Sequence, residues 1–181
     1  MTTSDARRQA ALRLRDAFAT TTGRVWLRFQ GRSMAPTLRE GDLLCVRRVA
    51  PADLAAGDIL VIEVADASIV HRLLYARRRR TSLITKGDNA WREDRPFGPD
   101  RLVGKICTVR RGAERIDLER GWWPWLARAI ALVSLIEAIA FRSAAAARRR
   151  WLPRGLVRCG VERRLLRLLS RGRRAVIGAL L

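Results

Sequence analysis

Five short apolar runs, separated by turn-forming dipeptides, constrain the fold of this chain most strongly. The runs are four to seven residues long and rich in β-branched side chains, which is typical of strands, and they cover residues 43–46, 59–64, 69–74, 82–85 and 103–109. The dipeptides Gly41-Asp42, Gly57-Asp58 and Gly87-Asp88 favour tight turns, because glycine tolerates positive φ and aspartate binds nearby backbone N–H groups. We therefore predict a mainly β domain over residues 25–120.

The N-terminal region, residues 1–24, has a different pattern. Residues 4–20 place Ala10, Leu14 and Phe18 on one stripe, which predicts a short amphipathic helix. This segment has no uninterrupted apolar run, so we expect neither a secretory signal nor a membrane span there.

The positive charge is concentrated in the C-terminal third of the chain. The 181 residues carry 37 basic and 17 acidic side chains, and residues 121–181 alone carry 13 basic and 2 acidic ones. Such an extension attracts polyanions, either nucleic acid or an anionic lipid surface, and composition alone does not choose between them.

An apolar stretch at 122–141 begins with three tryptophans around Pro124. At about 20 residues it is long enough for a helix that crosses a bilayer. Arg128 and Glu137 lie inside it, and charged side chains cost more on membrane insertion than single apolar residues return. The sequence therefore favours an interfacial helix anchored by tryptophans over a clean span, with a helix docked on the protein itself as the remaining alternative.

Residues 156–171 show a second amphipathic pattern. One side of the helical wheel carries arginines and the other carries valine and leucine, which is typical of a basic membrane-surface helix. The alternative is a helix packed on the core with a solvated arginine face. Residues 121–181 are thus predicted to be a helical, membrane-associating extension.

This chain has few residues that could bind a metal or form disulfides. There are one histidine and three widely spaced cysteines, with no CxxC pair. We therefore expect no metal site, no cofactor and no disulfide framework, and we interpret the cysteines as small buried apolar residues.

Three motifs carry the candidate chemistry. Residues 31–38 read GRSMAPTL with a Gly-Asp pair behind them, residues 69–72 read IVHR, and residues 85–89 read TKGDN with EDR at 93–95. In this order they resemble the signal peptidase family of membrane serine proteases, over roughly residues 29–106. The first motif alone would also fit the related self-cleaving repressor peptidases.

The resemblance has consequences for fold and activity. It implies a mainly β catalytic core that cleaves peptide bonds after small residues. Most bacterial signal peptidases place a lysine base where this chain has His71, so the chain is similar to the endoplasmic-reticulum and archaeal-type branch, which uses histidine.

The residue chemistry fits the same assignment. A serine hydroxyl needs a base to take its proton and a third group to orient that base. Ser33 is the candidate nucleophile and His71, the only imidazole, the candidate base. The resemblance implies Asp94 as the orienting acid, with Asp88 as the alternative, and Lys86 is a rival base.

Two further features of the site remain open from sequence. The family often places a hydroxyl for the oxyanion two residues before the nucleophile, but here that residue is Gly31, so the backbone N–H of Ser33 would have to stabilise the charge. Met34 and Pro36 are interpreted as shaping the turn and lining the substrate cleft, or alternatively as a hydrophobic plug and a rigid turn.

The sequence thus predicts a serine endopeptidase that cleaves a precursor or leader peptide near a membrane. Its expected partners are that peptide and an anionic membrane surface, with a partner protein left open. The side of the cell membrane that carries the catalytic domain stays open from sequence, and the lack of an apolar run before Ser33 motivates the hypothesis of the cytoplasmic face. One alternative is a non-catalytic peptide- or lipid-binding module on a degenerate peptidase core. Another is a basic nucleic-acid-binding protein, which rests on charge alone.

Overall fold

A computed structural model describes residues 23–64, 67–77 and 81–151, and for 144–151 it describes the backbone only. The predicted helix at 4–20 and the basic pattern at 156–171 lie outside the described residues, as does Cys159.

The described chain forms one antiparallel sheet followed by a long helix. The strands are β1 (Arg24–Arg28), β2 (Leu43–Arg47), β3 (Ile59–Val64), β4 (Ala67–Arg77), β5 (Ser82–Lys86), β6 (Leu102–Arg111) and β7 (Glu114–Asp117), and the helix is α1 (Trp123–Trp151). Short 3-10 turns occupy Pro51–Asp53 and Pro99–Arg101. The strand order is β1-β2-β6-β3-β4-β5, with β7 paired to β6. The prediction of a mainly β core with a helical C-terminal extension is confirmed.

Apolar residues fill both faces of the sheet. In β3, Ile59 and Val61 join one core cluster while Leu60 and Ile62 join the other, as expected when successive side chains of a strand point to opposite faces. The first cluster also receives residues from the loop between β1 and β2, including Met34. The core therefore fixes the loop that carries the first sequence motif.

Helix α1 docks along this domain by one face. Its buried residues recur at helical spacing: Ile130, Ala131, Ser134 and Ala138. At Gly57 the helix backbone comes so close that an added Cβ would lie 2.5 Å from the carbonyl carbon of Ala127. Of the arrangements that the sequence left open for 122–141, the structure shows a helix docked on the protein.

The opposite face of α1 is apolar and exposed. Trp125 is 71% exposed and Leu132 is 59% exposed, and Ile136 and Ile139 continue the same stripe. Residues Trp123–Ser143 are long and apolar enough to cross a membrane. The helix thus presents one face to the protein and an unusually apolar one away from it.

Candidate active site

The loop between β1 and β2 presents Ser33 at the surface. Its ends are closed by backbone bonds, from Phe29 N to Asp42 O at 2.8 Å and from Gly41 N to Phe29 O at 2.9 Å. Met34 is 0% exposed and packs into the core directly beside the exposed Ser33. The buried neighbour anchors the turn, so the serine is displayed on a fixed backbone.

Strand β4 carries His71, and the segment after β5 brings Asp94 to it. His71 Nδ1 lies 2.6 Å from Asp94 Oδ2. The Thr85 hydroxyl donates to the same carboxylate oxygen at 2.7 Å, and Asp94 N donates to Thr85 O at 2.8 Å. Because an ionised carboxylate only accepts hydrogen bonds, Nδ1 of a neutral ring carries the proton here and Nε2 is left as an acceptor.

Gly87 lies beside both Ser33 and His71. A Cβ added to Gly87 would lie 3.0 Å from His71 Nε2, 3.3 Å from Ser33 Cβ and 2.7 Å from Ser33 O. The serine side chain and the acceptor nitrogen therefore border the same small space. We expected positive φ at this glycine, as at Gly41 and Gly57, but the structure needs it for close approach instead.

Asn89, which follows β5, binds the backbone of the serine loop. The Asn89 N–H donates to Ser33 O at 2.7 Å, and its side-chain amide donates to Arg32 O at 3.2 Å. Within the TKGDN motif, Thr85 thus binds Asp94 and Asn89 binds the serine loop. Gly87 has no side chain and so leaves room for Ser33 and His71.

Asp88, the alternative acid, is buried in another network. Arg72 donates to both of its oxygens, at 2.8 Å from Nε and 2.7 Å from Nη2, and the Thr37 hydroxyl donates at 2.6 Å. Arg72 also donates to Gly57 O at 2.9 Å. The structure therefore brings Asp94, not Asp88, to the imidazole.

The two lysines are paired away from Ser33. Lys86 is buried, and its Nζ lies 3.0 Å from Glu137 Oε2 on α1. Thr85 faces Asp94, so the next side chain along β5 points to the other face of the sheet. Lys105 Nζ lies 2.8 Å from Asp58 and 3.3 Å from Glu119.

Glu119, Arg47 and Lys105 form a charged cluster, the Glu119 cluster, beside the start of α1. Burial raises the pKa of the Glu119 carboxyl, but the hydrogen bond from Arg47 and the charge of Lys105 outweigh it and hold this pKa below its ordinary value. The same bond, at 2.7 Å, raises the pKa of Arg47.

Cys45 and Cys107 are buried free thiols in adjacent strands. Burial, followed by the Cys107 side chain, raises the pKa of Cys45 to about 11. The Cys45 thiol is therefore unreactive near neutral pH.

The remaining sequence-predicted positions are placed as follows. Met34 is fully buried, which corrects its interpretation as a cleft-lining residue and fits the alternative of a hydrophobic plug. Pro36 is half-buried in the same turn, and Gly31 has a φ of +107° and brings no hydroxyl.

Sequence reasoning missed four residues that shape the site: Thr85, Gly87 as a clearance residue, Asn89 and Glu137. The first three belong to the TKGDN motif, and the alternation of side chains along its strand could have indicated Thr85. No local signal pairs Glu137 with Lys86, because 51 positions separate them.

A family model described as Peptidase S24-like matches residues 2–107. This match covers more than half of the chain and includes Ser33, His71 and Asp94. The chain belongs to the Peptidase S24-like family. None of the curated proteins matches it. Helix α1 lies beyond the part of the Peptidase S24-like chain that the family model covers.

Proposed function

We propose that this Peptidase S24-like protein is a serine endopeptidase with Ser33 as nucleophile, His71 as general base and Asp94 as the group that orients the base. One observation carries the proposal. His71 is bound to Asp94 through Nδ1 while its Nε2 borders the same space as Ser33 Cβ. This is the relative order that a serine triad requires.

The reaction follows from this order. Ser33 Oγ attacks the peptide carbonyl carbon as its proton passes to His71 Nε2, and the carbonyl oxygen becomes an oxyanion. The imidazolium then gives its proton to the leaving amine as the C–N bond breaks. Water, deprotonated by His71, releases the acyl group from Ser33 and restores the hydroxyl.

The oxyanion needs a hydrogen-bond donor in the serine loop. Because Gly31 has no hydroxyl, we assign this role to the backbone N–H of Ser33. A single well-placed donor stabilises such a transition state by roughly 3 kcal/mol. The buried Met34 keeps this part of the backbone fixed.

The histidine-using branch of the signal peptidase group is the finer assignment that we propose. It is supported by the ion pairs of Lys86 and Lys105, which hold both lysines of the chain away from Ser33. The substrate class that goes with this branch is a precursor or leader peptide cleaved after small residues. Ser33 is exposed, so an extended peptide can approach it.

We further propose that the protein works at a membrane surface. The support is the apolar stripe of α1, with Trp125 and Leu132 most exposed, together with the basic composition of residues 121–181. In this arrangement the stripe enters the lipid interface while the opposite face stays on the domain. Flotation with anionic and with zwitterionic vesicles tests it. Trp125→Ser/Leu132→Ser should lose flotation, and unchanged flotation of this variant would contradict the role of the stripe.

The experiment for the catalytic proposal is labelling of the full chain with a fluorophosphonate probe. We expect one adduct, located by peptide mass spectrometry on Ser33 and absent from Ser33→Ala. A Ser33→Ala variant that still binds peptide, in a protein whose wild type forms no adduct, would favour the non-catalytic binding module instead.

A further inference from the structure

Two buried cations face each other behind the candidate site. Arg72 on β4 and Lys86 on β5 are direct partners in the strand register, and they are only 2% and 1% exposed. Like charges directly opposite each other destabilise a sheet, and a buried charge needs an opposite charge close by. This pair of strands therefore depends on the carboxylates that neutralise it.

The two carboxylates come from different parts of the chain. Asp88, which neutralises Arg72, belongs to the TKGDN motif. Glu137, whose Oε2 lies 3.0 Å from Lys86 Nζ, belongs to α1. The family match ends at residue 107, so Glu137 comes from outside the Peptidase S24-like segment.

Asp88 is the link between these charges and the reacting groups. It lies between Gly87, which abuts His71 and Ser33, and Asn89, whose N–H holds Ser33 O. If Glu137 is removed, a larger share of the attraction of the Lys86 ammonium falls on Asp88, which lies two residues along the chain and binds Arg72 and Thr37. Any resulting shift of Asp88 moves Gly87 and Asn89 together.

Two other contacts place α1 against the same group of residues. Ala127 packs on Gly57, whose carbonyl accepts a hydrogen bond from Arg72. Near the other end, Arg142 forms an ion pair with Glu93, the residue before Asp94. Helix α1 thus contacts Gly57, Lys86 and Glu93, which bind or adjoin residues that hold the site in place.

We propose that Glu137 is a positioning residue of the peptidase site. It acts by neutralising Lys86, so that Asp88 stays on Arg72 and the segment 87–89 holds Ser33 against His71. This inference rests on the proposed function, and it makes α1 part of the catalytic unit as well as its membrane-facing surface.

The test compares rates of Ser33 phosphonylation by the fluorophosphonate probe, per folded molecule, in full-length variants. Circular dichroism gives the folded fraction of each. Glu137→Gln should react roughly 10- to 100-fold more slowly than wild type, because small displacements of reacting groups cost that much. Lys86→Met/Glu137→Gln, which has neither charge, should regain most of the wild-type rate. Arg128→Gln removes an exposed charge from the same helix and should react like wild type.

The outcomes separate this inference from the proposed function. A wild type that is not labelled overturns the proposed function. A labelled wild type with an equally fast Glu137→Gln overturns the positioning role alone, and so does a double variant as slow as the single one. If Glu137→Gln does not fold, Lys86→Met and the double variant decide. Equal rates support the inference, since Glu137 then acts only through Lys86, and unequal rates overturn it.

Discussion

Nδ1 of His71 lies 2.6 Å from Oδ2 of Asp94, although 23 positions separate the two residues. Thr85 holds the same oxygen from the neighbouring strand. The imidazole is thereby fixed in one orientation, with Nε2 bordering the same space beside Gly87 as Ser33 Cβ. The proposed proton transfer from Ser33 depends on that fixed ring.

Replacing Asp94 by asparagine should slow the reaction at Ser33 while changing the stability of the fold little. Asp94→Asn removes the acceptor for the Nδ1 proton, so we expect Ser33 phosphonylation to slow by roughly 10³- to 10⁴-fold. Because the Asp94 side chain is partly exposed, the free energy of unfolding should change little. Probe kinetics and urea unfolding measure the two effects.

The matched control is the same change at Asp88. Asp88→Asn leaves Arg72 buried without its carboxylate, which should lower the free energy of unfolding by about 3–5 kcal/mol. If Asp88→Asn slowed labelling of the folded fraction more than Asp94→Asn did, the assignment of the orienting acid would be wrong.

A methyl group at Gly87 should block the site. In Gly87→Ala the added Cβ meets Ser33 O and His71 Nε2, so we expect labelling to slow by about 100-fold. Gly112→Ala is the control. That glycine has a φ of +61° and open space around it, so its replacement should cost about 1–2 kcal/mol of stability without slowing the probe. Equal labelling rates in the two variants would argue against contact between the serine loop and His71.

The strands could be predicted from the sequence where they are buried. The run at 59–64 coincides with β3, and the other four runs fall within β2, β4, β5 and β6, because central strands show as continuous apolar segments. β1 and β7 were not assigned as strands. Their exposed positions carry arginine, glutamate and Trp26, so these outer strands lack the apolar continuity of the central ones.

Site residues could be predicted from the sequence only where the type of residue itself indicates its chemical role. A lone histidine, a serine in a turn and an acid at a family-like offset could be singled out in this way. The choice between Asp94 and Asp88 depends on which carboxylate Arg72 takes, and that is a matter of three-dimensional packing. The docking of α1 through Glu137 was likewise not predictable from helical periodicity.

The Glu119 cluster should make stability depend on pH. The pKa of the Glu119 carboxyl in the folded state lies below its ordinary value of 4.5. The ionised carboxylate therefore stabilises the fold above pH 4.5, and this stabilisation is lost as the pH falls through the folded-state pKa. Glu119→Gln should therefore be less stable than wild type at pH 7, and the difference should shrink in acid. Urea unfolding at pH 7 and pH 3 measures this, and a difference that grows in acid would contradict the ion-pair explanation.

Cys45 should resist alkylation in the folded protein. With its pKa raised to about 11, it carries almost no thiolate at pH 8, and its side chain is buried. Site-resolved mass spectrometry after iodoacetamide treatment should find Cys45 modified in urea but not in buffer. Rapid modification in buffer would show that β2 opens readily.

The most direct test of the central claim compares the proposed base with its rival. The measurement is the rate of fluorophosphonate labelling at Ser33 in wild type, His71→Ala and Lys86→Met, each corrected for folded fraction. Removal of a general base should slow the reaction by about 10²- to 10⁴-fold, so we expect this loss in His71→Ala and a readily measurable rate in Lys86→Met. A His71→Ala variant labelled as fast as wild type, or a loss confined to Lys86→Met, would contradict proton transfer from Ser33 to His71.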